Sequence, residues 1–419
     1  MNNTIKKYLT IFALSLSGGS IFMLPYIKYV FYDHQIEVMG ITNQQSGLLL
    51  SMYAIGCMAL YIPGGIIADR FSAKKCIFWS LTSTTVLALL YAFTFNYQLS
   101  LVIWLLLAVT TCFVFWTALM KTLRMAGSDE EQGRIFGIYY AGNGITGAVV
   151  NSLALWASTK GADPRGSLFN AVMVMAAATA IAAVLIKIFL KDDKEDRAES
   201  DDSEKFDFGA VTTLIKNPIV WIFSLIIFCG YSLYSSTSYF TPYLTDVVGI
   251  SPEQSGVFSI IRTYVFMLLA PIGGFLADKV FKSTSKWFMV AFTVLAILFW
   301  GVLRIPEGTN PTLISIITLL PGAFGLALYG ILFSIIGEAK IPVTVTATAV
   351  GIASIIGYTP DLFMSAMFGT WLDKYGNGGY GYIFTFLMFV GVVGAAASYI
   401  IRRRCVKLES LVADREKQA

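Results

Sequence analysis

Stretches of about 20 mostly apolar residues, the length a helix needs to cross a hydrocarbon layer of about 30 Å, recur twelve times along this 419-residue chain. They cover residues 8–32, 44–69, 76–95, 98–120, 134–157, 167–190, 218–243, 252–278, 286–304, 312–336, 343–370 and 380–401. With 56% hydrophobic and only 13% charged residues, the chain has too few polar side chains to dress a water-soluble fold of this size. The fold class expected is an all-α polytopic membrane protein with twelve transmembrane helices in two six-helix bundles. Only Lys6 and Lys7 precede the first span, which holds Lys28 and has no A-x-A-like cleavage site, so it is read as a retained helix.

The charges give the orientation. An even number of crossings puts both termini on one side, and the loops and span ends on that side hold 24 of the 30 Lys and Arg residues. The opposite side holds four, Lys160, Arg165, Arg304 and Lys374, and two more, Lys28 and Arg262, lie inside spans. That asymmetry predicts cytoplasmic termini. The sixth and seventh spans are separated by a polar segment with nine acids against four bases over residues 191–207, a composition that cannot bury enough surface to offset its ordering entropy. The expected organisation is a six-helix bundle over 1–190, a charged cytoplasmic linker over 191–217, a second bundle over 218–404 and a tail over 405–419.

Counting removes several chemistries. A single histidine, His34, argues against zinc hydrolases and Ser-His-Asp enzymes, and it is read as solvated surface in an external loop. The five cysteines show no paired spacing, so no disulfide framework, metal site or cofactor is expected. A net charge of +4, dispersed over the chain, does not argue for nucleic acid. Gly376-Asn377-Gly378-Gly379-Tyr380-Gly381 follows no strand and lacks a P-loop Lys-Ser/Thr, so nothing supports ATP-driven chemistry. No catalytic cluster is expected, and the chain is read as a monomer in the lipid bilayer.

Shifting the second block over the first by 209 residues brings Gly40-Ile41-Thr42-Asn43-Gln44-Gln45-Ser46-Gly47 onto Gly249-Ile250-Ser251-Pro252-Glu253-Gln254-Ser255-Gly256. The same offset lays Gly64-Gly65-Ile66-Ile67-Ala68-Asp69-Arg70 on Gly273-Gly274-Phe275-Leu276-Ala277-Asp278-Lys279. Parallel six-helix repeats of this kind are expected of transporters that hold a solute between them near mid-depth. Gly65-x-x-x-Asp69-Arg70 followed by Lys74-Lys75 resembles the loop signature of the major facilitator superfamily, with Ser72 and Ala73 departing from its usual residues. Gln132-Gly133-Arg134-Ile135-Phe136-Gly137 and Gly357-Tyr358-Thr359-Pro360-Asp361 are similar to the bacterial inner-membrane YihN-like group of that superfamily. The resemblance implies alternating access by rocking of the halves, a gating loop at Gly65, Asp69, Arg70 and the repeat-related Asp278, and a cavity lined by helices 1, 4, 7 and 10.

Ionised side chains at mid-bilayer cost at least ~2.5 to 3.5 kcal/mol each, so those present are functional candidates. Lys28, Arg262 and Asp361 qualify. One reading makes Lys28 and Arg262, one from each repeat, the site of a carboxylate, phosphate or sulfonate, since a guanidinium fork and an ammonium suit an oxyanion. The other pairs Arg262 permanently with Asp361 and lets Lys28 snorkel to the interface. Asp361 also suits proton coupling. Tyr26 and Tyr29, Trp116, Tyr231 and Tyr234, and Tyr329 are candidate cavity walls, with packing as the alternative for each. Tyr140, Asn143 and Asn151 are candidates for polar contacts across the interface, and Glu338 with Lys340 for a solvated or gating pair.

The function expected is secondary transport of a small organic or inorganic anion, by proton symport or exchange across the bacterial cytoplasmic membrane. An exporter of amphipathic or cationic compounds is the alternative within the class. A sensor or polytopic enzyme is the alternative outside it.

Overall fold

The structure, a computed structural model, describes residues 3–125, 132–190, 216–306, 308–338 and 346–418. The acidic linker through residue 215 and Lys340 lie outside these residues, as do the side chains of Gly65, Asp69 and Arg70. Every described element is helical. In the first repeat these are α1 (Asn3–Ile21), α2 (Lys28–Met39), α3 (Asn43–Arg70), α4 (Ala73–Thr94), α5 (Tyr97–Ala108), α6 (Phe115–Met125), α7 (Gln132–Ser158) and α8 (Pro164–Phe189). The second repeat begins with α9 (Pro218–Ser236), α10 (Phe240–Asp246), α11 (Pro252–Thr263), α12 (Ala270–Phe275) and α13 (Thr284–Val302). It continues with α14 (Pro311–Ile317), α15 (Leu319–Tyr329), α16 (Ile335–Glu338), α17 (Thr346–Gly357), α18 (Pro360–Tyr375) and α19 (Gly379–Gln418).

Several spans are two helices in series, and the breaks have local causes. The first span gives way at residues 22–27, around Pro25, which lacks the N–H a helix needs. The fourth contains a π turn at Val109–Phe113 between α5 and α6, and the eighth bends by 42° between Pro252–Leu269 and Pro271–Val280. Among the described residues seven stretches are long and apolar enough to cross a membrane, or eight if the bent pair is one span. Irregular backbone at membrane depth is tolerated where protein groups satisfy it.

The internal repeat has a physical explanation. Gly40 and Gly249 both adopt positive φ, 61° and 77°, a region glycine enters without penalty. Two residues on, Thr42 and Ser251 are N-caps whose hydroxyls accept the N–H of Gln45 and Gln254. The motif is thus a left-handed turn followed by a capped helix start, written twice. Ser46 and Ser255, both buried, then bond back to the preceding helix, to Gln35 Oε1 at 3.0 Å and to the Thr241 carbonyl at 2.7 Å.

The chain forms two compact units. One joins the first repeat with Thr241–Leu268 and Asp361–Lys374; the other takes Leu269–Pro360, the chain from Tyr375 onward and the described part of Glu204–Phe240. The first unit has two cores, one around Phe31, Tyr91, Trp104 and Leu168 and one around Leu14, Phe115, Leu123 and Ile186. In the second unit Phe240 stacks on Phe299 and Phe384, with ring centroids 5.9 and 5.0 Å apart. Cys57 of α3 and Cys112 of the π turn are joined in a disulfide with Cα atoms 5.3 Å apart, which corrects the expectation of none. The packing of α3 on the break between α5 and α6 brings together residues 55 apart, a separation that carries no spacing signal.

Candidate functional site

Lys28 opens α2 directly after the break in the first span, and it is 3% exposed. Its Nζ lies 5.5 Å from the centre of the Tyr32 ring, and Asp361, in the first turn of α18, acts on it electrostatically. Pro25, Gln35, Ser46 and Trp104 surround it, lining a gap too narrow for water. Arg262 sits in the last turn of α11, 1% exposed. Lys28, Arg262 and Asp361 therefore belong to one compact unit although they come from different repeats.

The break around Lys28 is held by side chains from elsewhere. Trp104 Nε1 donates to the Pro25 carbonyl at 3.1 Å. Phe31 departs from helical geometry, with φ −112° and ψ 38°. The Tyr29 carbonyl two residues earlier accepts the hydroxyls of Thr241 at 2.9 Å and Ser259 at 2.5 Å. One backbone acceptor beside the break, the Tyr29 carbonyl, is thus bonded by both α10 and α11, the latter also carrying Arg262. A buried polar chain runs alongside, from Ser46 through Gln35 to the Tyr91 hydroxyl at 3.4 Å. None of these acceptors is visible as a motif, because a backbone carbonyl has no residue-type signature.

The aromatic candidates fall into separate groups. Tyr26 lies 5.2 Å from Tyr29 and 5.7 Å from Tyr53, centroid to centroid, and Tyr53 hydrogen-bonds Thr111 at 2.8 Å. Trp116 packs edge-on against Phe22 at 6.3 Å. In the second unit Tyr234 stacks on Tyr329 at 4.2 Å, and Tyr231 stands 5.9 Å from Tyr329 and 4.6 Å from Tyr358. Tyr358 is not among the wall candidates that the sequence offers.

The polar candidates of α7 divide. Asn151 hydrogen-bonds both the Gly147 carbonyl and the side chain of Tyr264, the residue that follows α11. Asn143 binds the Tyr139 hydroxyl, and Tyr140 is 44% exposed. Of the gating-loop candidates, Gly65, Asp69 and Arg70 close α3, while Asp278 is exposed in a π turn at Leu276–Val280. The close approach falls on Gly273, where an added Cβ would lie 1.8 Å from the Ala327 carbonyl oxygen; Gly274, the repeat mate of Gly65, has only a side chain at 3.8 Å. Glu338 is not a solvated group: its carboxylate accepts the N–H groups of Thr284 and, at 3.0 Å, Ser285, capping the start of α13. His34 is half-buried against Phe31, and burial lowers its pKa more than Glu253 and Glu37 raise it, which corrects its reading as solvated surface. Among the described residues no group of three or more His, Cys, Asp or Glu could hold a metal.

Sequence-repeated sets of broken apolar helices, with Lys28 buried beside one break, are those of a polytopic membrane protein. The sequence profile of the Major Facilitator Superfamily matches residues 8–362, and the chain belongs to that superfamily. Inner membrane proteins YqcE and YihN of Escherichia coli K12 are each 30% identical to it, over 89% and 96% of both chains respectively. It is also 24% identical to a probable sulfoacetate transporter of Cupriavidus necator over 64% of each chain, and 25% identical to a hexuronate transporter of Bacillus subtilis over 59% of each. Among solved structures, an inward-facing, unoccupied bacterial homolog of the human lysosomal transporter Spinster superposes with a TM-score of 0.72 at 16% identity, covering 96% of this chain and 98% of that one.

Proposed function

We propose that this protein is a secondary transporter that moves a small organic anion across the bacterial cytoplasmic membrane through a site built on Lys28 and Arg262. The observation that carries the reading is the burial, in one compact unit, of two cations from different repeats. Keeping such charges at depth is costly, and an oxyanion that engages both would draw the repeats together. The names of two relatives, which specify a sulfonate and a sugar acid, support an anionic solute.

Asp361 supplies a route to proton coupling. A carboxylate facing Lys28 competes with an anionic solute for that ammonium; protonating Asp361 removes the competitor, so proton and anion load together. Alternating access then follows from rocking of the two repeats, with both termini cytoplasmic and the turns at Gly40 and Gly249 facing outward. A second reading, export of amphipathic or cationic compounds, draws on the group of Tyr231, Tyr234, Tyr329 and Tyr358.

The test is uptake by proteoliposomes of labelled sugar acids, sulfonates and phosphates. Arg262→Gln and Lys28→Met should each abolish uptake of the anion that the wild type carries. Asp361→Asn should leave uptake that no longer responds to an imposed pH gradient. Unchanged uptake by Arg262→Gln would remove that residue from the site, and a drug-sensitive deletion strain with no anion uptake would favour the exporter.

A further inference from the structure

Within the first unit, the start of α3 meets the end of α18. The contact is backbone on backbone: a Cβ at Gly47 would lie 2.3 Å from the Ser365 carbonyl oxygen, and one at Gly369 would lie 2.4 Å from that of Asn43. Asp373 closes it. Its carboxylate accepts the backbone N–H of Asn43 at 2.9 Å, the backbone N–H of Gln44 at 2.9 Å and the side-chain amide of Asn43 at 2.8 Å. The opening N–H groups of a helix have no partner within it, and the helix dipole makes that end positive. Thr42 covers a different donor, the N–H of Gln45. Asp373 thus completes the cap of α3 from 330 residues away.

We propose that Asp373 is a latch that holds the outer end of the transporter closed by capping α3 with a carboxylate borne on the other repeat. The proposal rests on the alternating-access reading, in which this end opens to admit or release solute. Opening the junction leaves two helix N–H groups and the Asn43 amide to water and separates a negative charge from a positive helix end. The latch is indifferent to physiological pH. Burial pushes the Asp373 carboxyl upward, but the Gln44 N–H, the Asn43 amide and N–H and the Thr42 hydroxyl outweigh it, leaving it below the usual carboxylate range. Solute binding, not protonation, has to release it.

Asp373 touches no solute; it acts through the position of α3. The test is labelling of an introduced Ser365→Cys, a buried position within the junction, by a membrane-impermeant maleimide in right-side-out vesicles. The native free cysteines Cys76, Cys229 and Cys405 are buried, and the parent chain without the substitution gives their background. Adding Asp373→Ala should raise the labelling rate about fivefold, the equivalent of losing one helix cap. Asp373→Asn, which keeps one acceptor oxygen and the side-chain shape, should fall between, and it carries the test if the alanine variant does not insert. Equal rates in the parent and both variants would overturn the latch, as would a rise confined to inside-out vesicles. The rate is read without solute, so loss of anion uptake in Arg262→Gln with a normal Asp373 effect would break the transport site and leave the latch standing.

Discussion

The two repeat-related helix starts, α3 and α11, are built alike but packed differently. Gly47 of α3 abuts the Ser365 backbone, and a carboxylate from α18 seals the contact. Its repeat mate Gly256 in α11 faces the side chains of Leu155 and Val30, the nearest 3.0 Å from an added Cβ. Just past the end of α11, Tyr264 and Met267 meet α7 over Gly147 and Gly144. One junction sets backbone against backbone under a carboxylate; the other is made by side chains. The proposed latch thus uses one copy of a duplicated sequence, while the other copy packs through side chains.

Substitutions at the two glycines should separate these roles most sharply. Gly47→Ala forces backbone apart, and a misfit of about 1 to 3 kcal/mol shifts a closed junction by about 5- to 150-fold. Maleimide labelling of Ser365→Cys should rise accordingly. Gly147→Ala, whose Cβ would fall 2.1 Å from the Tyr264 ring, should follow with a smaller effect because a ring can swing where a carbonyl cannot. Gly256→Ala needs only a shift of the Leu155 methyls and should change labelling less than about twofold. Equal effects at Gly47 and Gly256 would mean that the junctions do not differ as described.

A weaker influence comes from pH at the same end of the molecule. Burial first, then Asp246 and to a lesser degree Glu37, push the Asp33 carboxyl up to about 6 against the Thr245 hydroxyl. His34, next in sequence, faces Glu253 and Glu37. An acid whose folded pKa is raised destabilises the folded state once ionised, so the penalty is present above about 6 and fades as pH falls through that value. Melting temperature should therefore rise between pH 7 and pH 5, and Asp33→Asn should flatten that rise. An identical slope in the variant would assign the dependence to other groups.

Local chemistry explains which features could be read from the sequence. Gly40, Thr42 and Gln45 act within one turn and its helix start, so their repetition as Gly249, Ser251 and Gln254 exposed the duplicated architecture. Lys28 and Arg262 stood out because a cation inside an apolar span is costly wherever it points. Asp373 gave no such signal: an acid after a span resembles any solvated loop residue until folding sets it against Asn43. The Tyr29 carbonyl was likewise hidden, and so was Tyr358, whose neighbours in the tyrosine group come from two other helices. Pro25 was visible, but hydropathy runs smoothly across it, and the break it makes is set by Trp104, Thr241 and Ser259.

The central claim is that Lys28 and Arg262 form the anion site of a transporter. Thermal unfolding of the detergent-purified protein against a panel of sugar acids, sulfonates, phosphates and their neutral analogues tests it most directly, because a ligand that binds only the folded form raises its melting temperature. Melting temperature should rise with at least one anion, stay unchanged with its neutral analogue, and show no rise in either Lys28→Met or Arg262→Gln. A rise that survives in Arg262→Gln, or one produced by cations alone, would contradict it.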